Sequence, residues 1–384
     1  MNIFDIPVDI LKEIFNFSDF ITKIRFRQIC KFTYKNLHII DFNNLEEKYL
    51  KKLTEDILKK HKFIKYLNAS NNLKIKNVNW MKSLKELCAN GLCGINQNGI
   101  KGLNLITLRI HNNSKINDVS WMTNLKELYA AGNCGIDQIG IKGLNLIKLD
   151  AYFNPKIKDI SFMKTLKELD ASGNSGIDQL GIKGLDLVIL DAHYNSKIID
   201  VNWMTNLKEL YACCDNRINQ SGDNGINQNG IKGLDLIKLN ASYNSQIKDV
   251  SWMKNLKELY ASENCGIDQK GINGLNLIKL HANYNSKIKD VSFMKNLTEL
   301  DASGTCGINQ NGIKGLNLIK LYANYNSKIK DVRFMKNLKE LYAVETCGIN
   351  QNGIKGLDLI ILDAIYNDKI KDICFMKNSK FKRI

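Results

Sequence analysis

The apolar positions of this chain recur in a fixed frame. From Ile64 onward the pattern LxxLxAxxNxxI returns at fifteen places, led by Ile64, Leu84, Leu105, Leu125, Leu146, Leu166, Leu187, Leu207, Leu236, Leu256, Leu277, Leu297, Leu318, Leu338 and Leu359. The spacing alternates between 20 and 21 residues, so a 41-residue pair is the unit of duplication; the unit at Leu207 alone runs 29 residues and carries INQSGDNGINQ. Counting the leading residue as offset 0, the apolar residues at offsets 0 and 3 and the alanine at offset 5 share one face of a short strand and its lead-in. Stacked units of this kind predict one parallel sheet, each unit burying its apolar face only against its neighbours.

Polar positions repeat as well. Asparagine at offset 8 (Asn72, Asn113, Asn133, Asn154, Asn174, Asn195, Asn244, Asn264, Asn285, Asn326, Asn367) stands where the chain leaves the strand, and its amide is expected to satisfy backbone groups that the bend would otherwise bury unpaired. Leu92, Asp215, Thr305 and Thr346 interrupt this ladder, and local loosening is expected there. In the 20-residue units the return path carries an aromatic at one offset (Trp80, Trp121, Phe162, Trp203, Trp252, Phe293, Phe334, Phe375), which we assign to the core. The 21-residue units carry GIxxxGIKGL, with aliphatic residues in the inward slots and glycines at the turns. This arrangement resembles the leucine-rich-repeat family over residues 64–378, which implies an α/β repeat, a leucine-rich-repeat solenoid with a parallel concave sheet. Alanine at offset 5, where the family usually has a larger aliphatic, implies tight packing behind the sheet.

Residues 43–63 follow a different rule. Leu45, Tyr49, Leu53, Ile57 and Leu58 recur at helical spacing and predict one amphipathic helix covering the first repeat's edge. Before it, residues 3–42 repeat nothing downstream. Pro7 can open a helix on which Ile10, Leu11, Ile14 and Phe15 form a stripe; Phe20, Ile21, Ile24 and Ile29 supply two further short helical patterns. A module this small and apolar can hardly bury all its side chains, so a partner is expected. The alternative is a helical cap for the solenoid edge. The segment resembles an F-box: Ile6 with Pro7, Ile14 with Phe15, Ser18 to Ile21, and Ile29, Cys30, Lys31, followed by Phe32 and Tyr34, match that family's pattern. The resemblance implies docking onto the Skp adaptor of a cullin-based ubiquitin ligase. It places Pro7, Ile10, Leu11, Ile14, Phe15, Ile29 and Cys30 at adaptor-facing or helix-packing positions. The expected organisation is a small all-helical F-box-like module at 1–42, a linker and capping helix at 43–63, a solenoid of fifteen units at 64–378, and a truncated unit at 379–384. The near-identical repeats, rich in Asn, Ile and Lys, also resemble proteins abundant in large DNA viruses of amoebae.

Composition narrows the function. The chain has 384 residues and is 44% hydrophobic and 24% charged, with only 2 prolines. No stretch approaches the roughly 20 apolar residues of a membrane span, and MNIFDIPVDI lacks the layout of a secretory leader. A soluble, non-secreted, cytoplasmic protein is expected, in the host cell cytoplasm if the source is viral, and the nucleus is not excluded. Ten cysteines include Cys93, Cys134, Cys265, Cys306 and Cys347 in one slot of alternate units. Equivalent atoms two strands apart lie about 9.6 Å apart, beyond disulfide reach, so free thiols are expected. The segment from Gly94 to Lys101, GINQNGIK, imitates a phosphate loop, but isoleucine separates Gly99 from Lys101 and the segment recurs, so it is structural. The five histidines have no ligand spacing and no CxxC is present, so neither a catalytic or metal site nor a cofactor is expected.

A binding protein remains. Offsets 4 and 6 are expected to point outward on the concave face and offset 7 to lie at its rim; eleven of the 14 tyrosines occupy these slots. The candidate substrate-binding residues are Tyr129, Asp150, Tyr152, Asp191, His193, Tyr211, Tyr260, His281, Tyr322 and Tyr342. The rim residues Tyr194, Tyr243, Tyr284, Tyr325 and Tyr366 serve equally well as a ladder shielding the asparagines. Fifteen strands at ~4.8 Å give a surface roughly 70 Å long, enough for a protein substrate. A formal charge of +16 favours acidic partners, yet lysines such as Lys101, Lys142, Lys183, Lys232, Lys314 and Lys355 ride the return path, away from the tyrosines. Nucleic acid is therefore not an expected partner, and the chain is expected to be monomeric outside the ligase complex. A free-standing interaction scaffold with no ubiquitin role is the competing function, and a basic nucleic-acid-binding solenoid, which needs lysines and aromatics on one face, is the lesser one.

Overall fold

The computed structural model describes residues 6–43, 45–61, 63–214 and 225–372 and the backbone of 381–383. The chain forms two compact units, Met1–Leu166 and Lys167–Ile384. No helix among the described residues is long and apolar enough to cross a membrane.

The first unit opens with three short helices, α1 (Val8–Phe17), α2 (Phe20–Gln28) and α3 (Lys31–Asn36). Pro7 precedes α1 with φ −54, and Asp19 caps α2 by accepting from the Thr22 N–H at 2.9 Å. Cys30 and Thr33 form a reciprocal capping box at α3. Strand β1 (Asp41–Phe42), which the sequence pattern does not announce, pairs in parallel with the first repeat strand. The helical module therefore runs directly into the sheet. Phe42 is fully buried against the rings of Phe20 and His61, at 5.3 and 5.2 Å.

The single helix expected over 43–63 is two: α4 (Glu47–Leu50) and α5 (Glu55–Lys59), with Thr54 capping the second through the Ile57 N–H. The break has a use. The Leu50 and Leu53 carbonyls, at the end of α4 and just before α5, both accept from Asn72 Nδ2, at 2.8 and 3.1 Å. Glu55 Oε1 accepts from the Lys76 and Asn77 N–H groups. The segment thus caps the solenoid by imitating the polar contacts of a preceding repeat.

Repeat strands β2 to β6 complete the first unit: Tyr66–Asn68, Glu86–Cys88, Thr107–Arg109, Glu127–Tyr129 and Lys148–Asp150. The second unit holds β7 to β17: Glu168–Asp170, Ile189–Asp191, Glu209–Tyr211, Lys238–Asn240, Glu258–Tyr260, Lys279–His281, Glu299–Asp301, Lys320–Tyr322, Glu340–Tyr342, Ile361–Asp363 and Phe381–Arg383. Within each unit consecutive strands pair in parallel and in register, so Lys238, Glu258, Lys279 and Glu299 fall in one row. Strands span offsets 2 to 4 with the offset 3 leucine buried, as at Leu128 and Leu259. The leucines at offset 0 and alanines at offset 5 are also buried throughout the described repeats. Each wholly buried leucine contributes about 1.5–3 kcal/mol relative to an exposed one.

Three expectations need correction. First, the asparagine ladder occupies only the 20-residue units. Asn113, Asn195 and Asn285 are buried; Asn285 Nδ2 donates to the Ala261 and Ile267 carbonyls (2.8 and 3.0 Å) while its Oδ1 accepts from the Lys287 N–H (2.9 Å). Asn133, Asn174 and Asn264 are exposed, and the next residue, Cys134, Ser175 or Cys265, fills the interior instead. Leu92, Thr305 and Thr346 belong to these 21-residue units, so no rung is missing and no loosening follows; Asp215 lies outside the described residues. The extra residue shifts the inward slot by one position.

Second, the return-path aromatics are not core. Phe162, Phe293 and Phe334 are exposed and the tryptophans are half-buried at the outer surface. The buried residue is the methionine that follows: Met81, Met122, Met163, Met204, Met253, Met294 and Met335. Phe375 lies outside the described residues. Third, offset 6 does not point outward in every unit; in most of the 21-residue units it is buried, as at Ala131, Ser172 and Ser303, and at Asn90 and Val344 it is half-buried.

The 21-residue units add a second polar ladder. Gln310 donates from Nε2 to the Asp331 carbonyl at 2.8 Å and accepts at Oε1 from the Lys330 and Asp331 N–H groups. Gln97, Gln138, Gln179, Gln228, Gln269 and Gln351 repeat the contact. Close approach explains the glycines beside it. A Cβ on Gly312 would lie 2.1 Å from the Lys289 carbonyl oxygen. All nine described cysteines are free, and those of the repeat slot are buried.

Candidate functional site

Two surfaces carry groups that the fold does not consume. The first is the helical module. Leu11 (1% exposed) and Phe15 (2%) close its interior, with Phe15 edge-on to Phe26 at 6.5 Å. Ile10 (46%), Ile14 (43%), Phe17 (93%), Ile29 and Pro7 are exposed and Cys30 is half-buried. The predicted set therefore splits: Leu11 and Phe15 pack the helices, whereas Pro7, Ile10, Ile14 and Ile29 face outward. Phe17 was missed by motif reasoning; its place at the end of the α1 stripe is the signal that could have found it.

The module is fixed to the cap by Arg27. Its guanidinium lies 4.6 Å from the Tyr34 ring and donates from Nη1 to His61 Nδ1 at 3.1 Å. Burial, and then the Arg27 charge, push the His61 imidazole down to about 4, so it stays neutral and accepts.

The second surface is the strand face. In the first unit Tyr129 lies beneath the Arg109 guanidinium, 3.8 Å from ring to carbon, and its hydroxyl donates to Glu127 at 3.1 Å. Asp150 sits 3.8 Å from His111. Tyr152 stands exposed, edge-on to Phe153 at 4.5 Å.

In the second unit the row is continuous from Tyr211 to Tyr342. Lys238 lies between the rings of Tyr211 and Tyr260, at 5.2 and 5.8 Å; Lys279 sits over Tyr260 at 5.6 Å and pairs with Glu299 at 2.8 Å. His281 packs on Tyr260 (4.7 Å), bonds Glu299 (3.1 Å) and lies 3.9 Å from Asp301. Lys320 approaches Tyr322 and Tyr342, which stack at 4.5 Å and 17°, and pairs with Glu340 at 2.9 Å. Hydrogen bonds that it donates to Tyr322 and Glu340 hold the Lys320 ammonium above the usual lysine range. The Asp191 carboxylate, bonded to His193 Nδ1, raises that imidazole.

The structure thus brings Tyr211, Tyr260, His281, Tyr322 and Tyr342 together, with Asp191 and His193 on β8 and its exit; Tyr129, Asp150 and Tyr152 lie in the first unit. Arg109 and the lysines and glutamates between the rings were missed. They occupy offset 2, which shares the outward face with offset 4 by strand alternation, and that alternation was legible. Their presence also corrects the view that lysines keep away from tyrosines. The rim tyrosines lie in the left-handed region (Tyr284 φ 58, Tyr325 φ 59), and the Tyr284 ring occupies the space where a Cβ on Gly304 would stand. No cluster of metal-ligating residues occurs among the described residues.

Residues 3–41 match the F-box domain family. No curated protein sequence matches the chain. Among solved structures, the chain is similar to the functional domain of InlJ from Listeria monocytogenes, described as including a cysteine ladder, with 20% identity, a TM-score of 0.45, and coverage of 79% of this chain and 67% of that one. An internalin of the same organism gives 17% identity and a TM-score of 0.35 over 79% and 81%. A leucine-rich-repeat protein of Leptospira interrogans gives 17% and 0.35 over 84% and 87%.

Proposed function

We propose that the chain is a substrate-recognition adaptor of a Skp–cullin–F-box ubiquitin ligase, non-catalytic itself, that holds a protein substrate on the strand face. The observation that carries this reading is an F-box match on a module whose own core is closed by Leu11 and Phe15, leaving Ile10, Ile14, Phe17 and Ile29 exposed. Apolar side chains displayed this way on a small module favour a partner that covers them, and F-box domains generally bind the Skp adaptor. Phe42, His61 and Arg27 tie the module to the first repeats, so adaptor and nearby repeats would hold a fixed geometry.

The substrate reading rests on tyrosine rings preorganised by cations and carboxylates. Tyr129, Asp150, Tyr152, Asp191, His193, Tyr211, Tyr260, His281, Tyr322 and Tyr342 are the contacts we assign to it. Tyrosine offers contact area at low entropic cost. A reducing, cytoplasmic setting suits the free thiols.

The test is co-expression of the full chain with a eukaryotic Skp adaptor. The adaptor should co-purify with the wild-type chain and be lost from Ile10→Ala with Ile14→Ala, while the circular dichroism stays unchanged. A wild-type chain that leaves the adaptor unbound sinks the ligase reading and makes the protein an interaction scaffold with no ubiquitin role.

A further inference from the structure

A nucleic-acid-binding surface needs cationic and aromatic side chains on one face, and the outer face of the second unit meets that condition once the aromatics leave the core. We propose that this face is a track for single-stranded nucleic acid, with bases on the aromatic rings and phosphates on the lysines.

Trp203, Trp252, Phe293 and Phe334 occupy one slot of alternate units at the outer surface, the tryptophans half-buried and the phenylalanines exposed. Alternate strands are about 9.6 Å apart, so four rings span roughly 29 Å. The indoles are held by their N–H edges, Trp203 Nε1 on the Leu185 carbonyl (3.0 Å) and Trp252 Nε1 on the Leu234 carbonyl (2.9 Å). Their rings line open grooves. One, of about 580 Å³, is bounded by Lys183, Gly184 and Ile199; the next, of about 630 Å³, by Lys232, Gly233 and Lys248. Gly233 takes φ +82, and a Cβ there would meet nothing within 4 Å, so the turn also leaves the groove wall open.

Lysine outnumbers carboxylate in the second groove, Lys232 and Lys248 against Asp249, and matches it in the first, Lys183 against Asp200. Lys183, Lys232 and Lys248 are exposed and form no ion pair among the described residues. Asp200 and Asp249 are turned onto the Asn202 and Ser251 N–H groups, and Gln179 and Gln228 onto backbone. The net charge of +16 draws a polyanion toward such a surface. A ring beside the lysines favours unstacked bases over a duplex or a sulfated polysaccharide, which would use the lysines alone.

The test is fluorescence anisotropy of the full chain with fluorescein-labelled oligothymidylate and oligouridylate, each about 20 nucleotides long. Binding should weaken steeply between about 50 and 200 mM salt. Trp203→Leu with Trp252→Leu should lower affinity about fivefold or more. Lys183→Gln, Lys232→Gln and Lys248→Gln together should flatten the salt dependence by about 0.7 per lysine. Tyr260→Ala, on the strand face, should change neither. Should the tryptophan variant misfold, Trp252→Phe with retained binding and the lysine set carry the test. No binding at the lowest salt overturns the proposal; so does equal binding of duplex DNA, heparin or anionic vesicles with indifference to the tryptophans. A preference between the two oligonucleotides identifies DNA or RNA as the ligand.

Discussion

Asn285→Ala tests the alternation of the interior. The side chain is 1% exposed and makes hydrogen bonds to the Ala261 carbonyl, the Ile267 carbonyl and the Lys287 N–H, two of which tie its unit to the one before. Alanine leaves those backbone groups buried without partners. At about 1 kcal/mol for each bond the loss is about 3 kcal/mol, and unrelieved desolvation raises it. Asn264→Ala is the matched control: the same residue type at the same offset, but exposed in a 21-residue unit. It should cost under about 0.5 kcal/mol. Repeat arrays need not unfold in one step, so urea unfolding followed by tryptophan fluorescence should be joined to amide exchange at Leu259 and Leu280. Protection there should fall in Asn285→Ala alone. Equal effects of the two substitutions would refute the assignment of interior asparagines to 20-residue units.

Three further outcomes are expected. His61 is neutral when folded, with its pKa pushed from 6.5 down to about 4 by burial; the unfolded state takes up a proton first, so stability of the F-box junction is full above about pH 6.5 and declines as pH falls toward 4. Protection factors in α1 to α3, which correct amide exchange for the slower intrinsic chemistry at low pH, should fall on acidification, and His61→Gln should blunt that fall; an unchanged response excludes His61 as its source. Gly312→Ala forces a Cβ to 2.1 Å from the Lys289 carbonyl and should destabilise by about 2–3 kcal/mol. Gly233→Ala, which meets open space, should cost only the left-handed backbone penalty of about 1 kcal/mol; calorimetry that ranks them the other way contradicts the close approach. Iodoacetamide on the native chain should label Cys30, half-buried with its thiol lowered by the Thr33 N–H, well before Cys265 and Cys306, whose buried thiols are pushed up to about 12 and 11. Mass spectrometry of labelled peptides reads this directly, and early modification of Cys265 would refute it.

The strand frame was legible because it rests on a period of two and on leucines too numerous to bury elsewhere. The F-box was legible as a motif, although which of its apolar residues face outward depended on packing that the pattern does not encode: Ile14 and Phe15 are neighbours with opposite fates. The alternation was misread for a physical reason. A one-residue difference in length moves the interior slot from Asn133 to Cys134, and a consensus that aligns both unit types at offset 8 hides the shift. Trp203 and its equivalents looked like core by hydrophobicity, but Met204 is the thinner, more pliable side chain and takes the interior. The Gln310 ladder left no hydrophobic trace, and β1 is two residues long, below the length at which a period can be read.

The two polar ladders meet at one kind of joint, where a 20-residue unit follows a 21-residue one. Each 20-residue unit grips its predecessor with a buried asparagine, and each 21-residue unit reaches forward with a glutamine. Unequal recombination between near-identical repeats that removed one unit would set like against like, leaving an asparagine facing a neighbour without the carbonyl it needs and a glutamine with no turn to clasp. Loss or gain of a pair leaves every joint intact. Whole repeats can therefore be added or removed without orphaning a polar contact only in strides of two units, and the reach of the strand face changes in those increments.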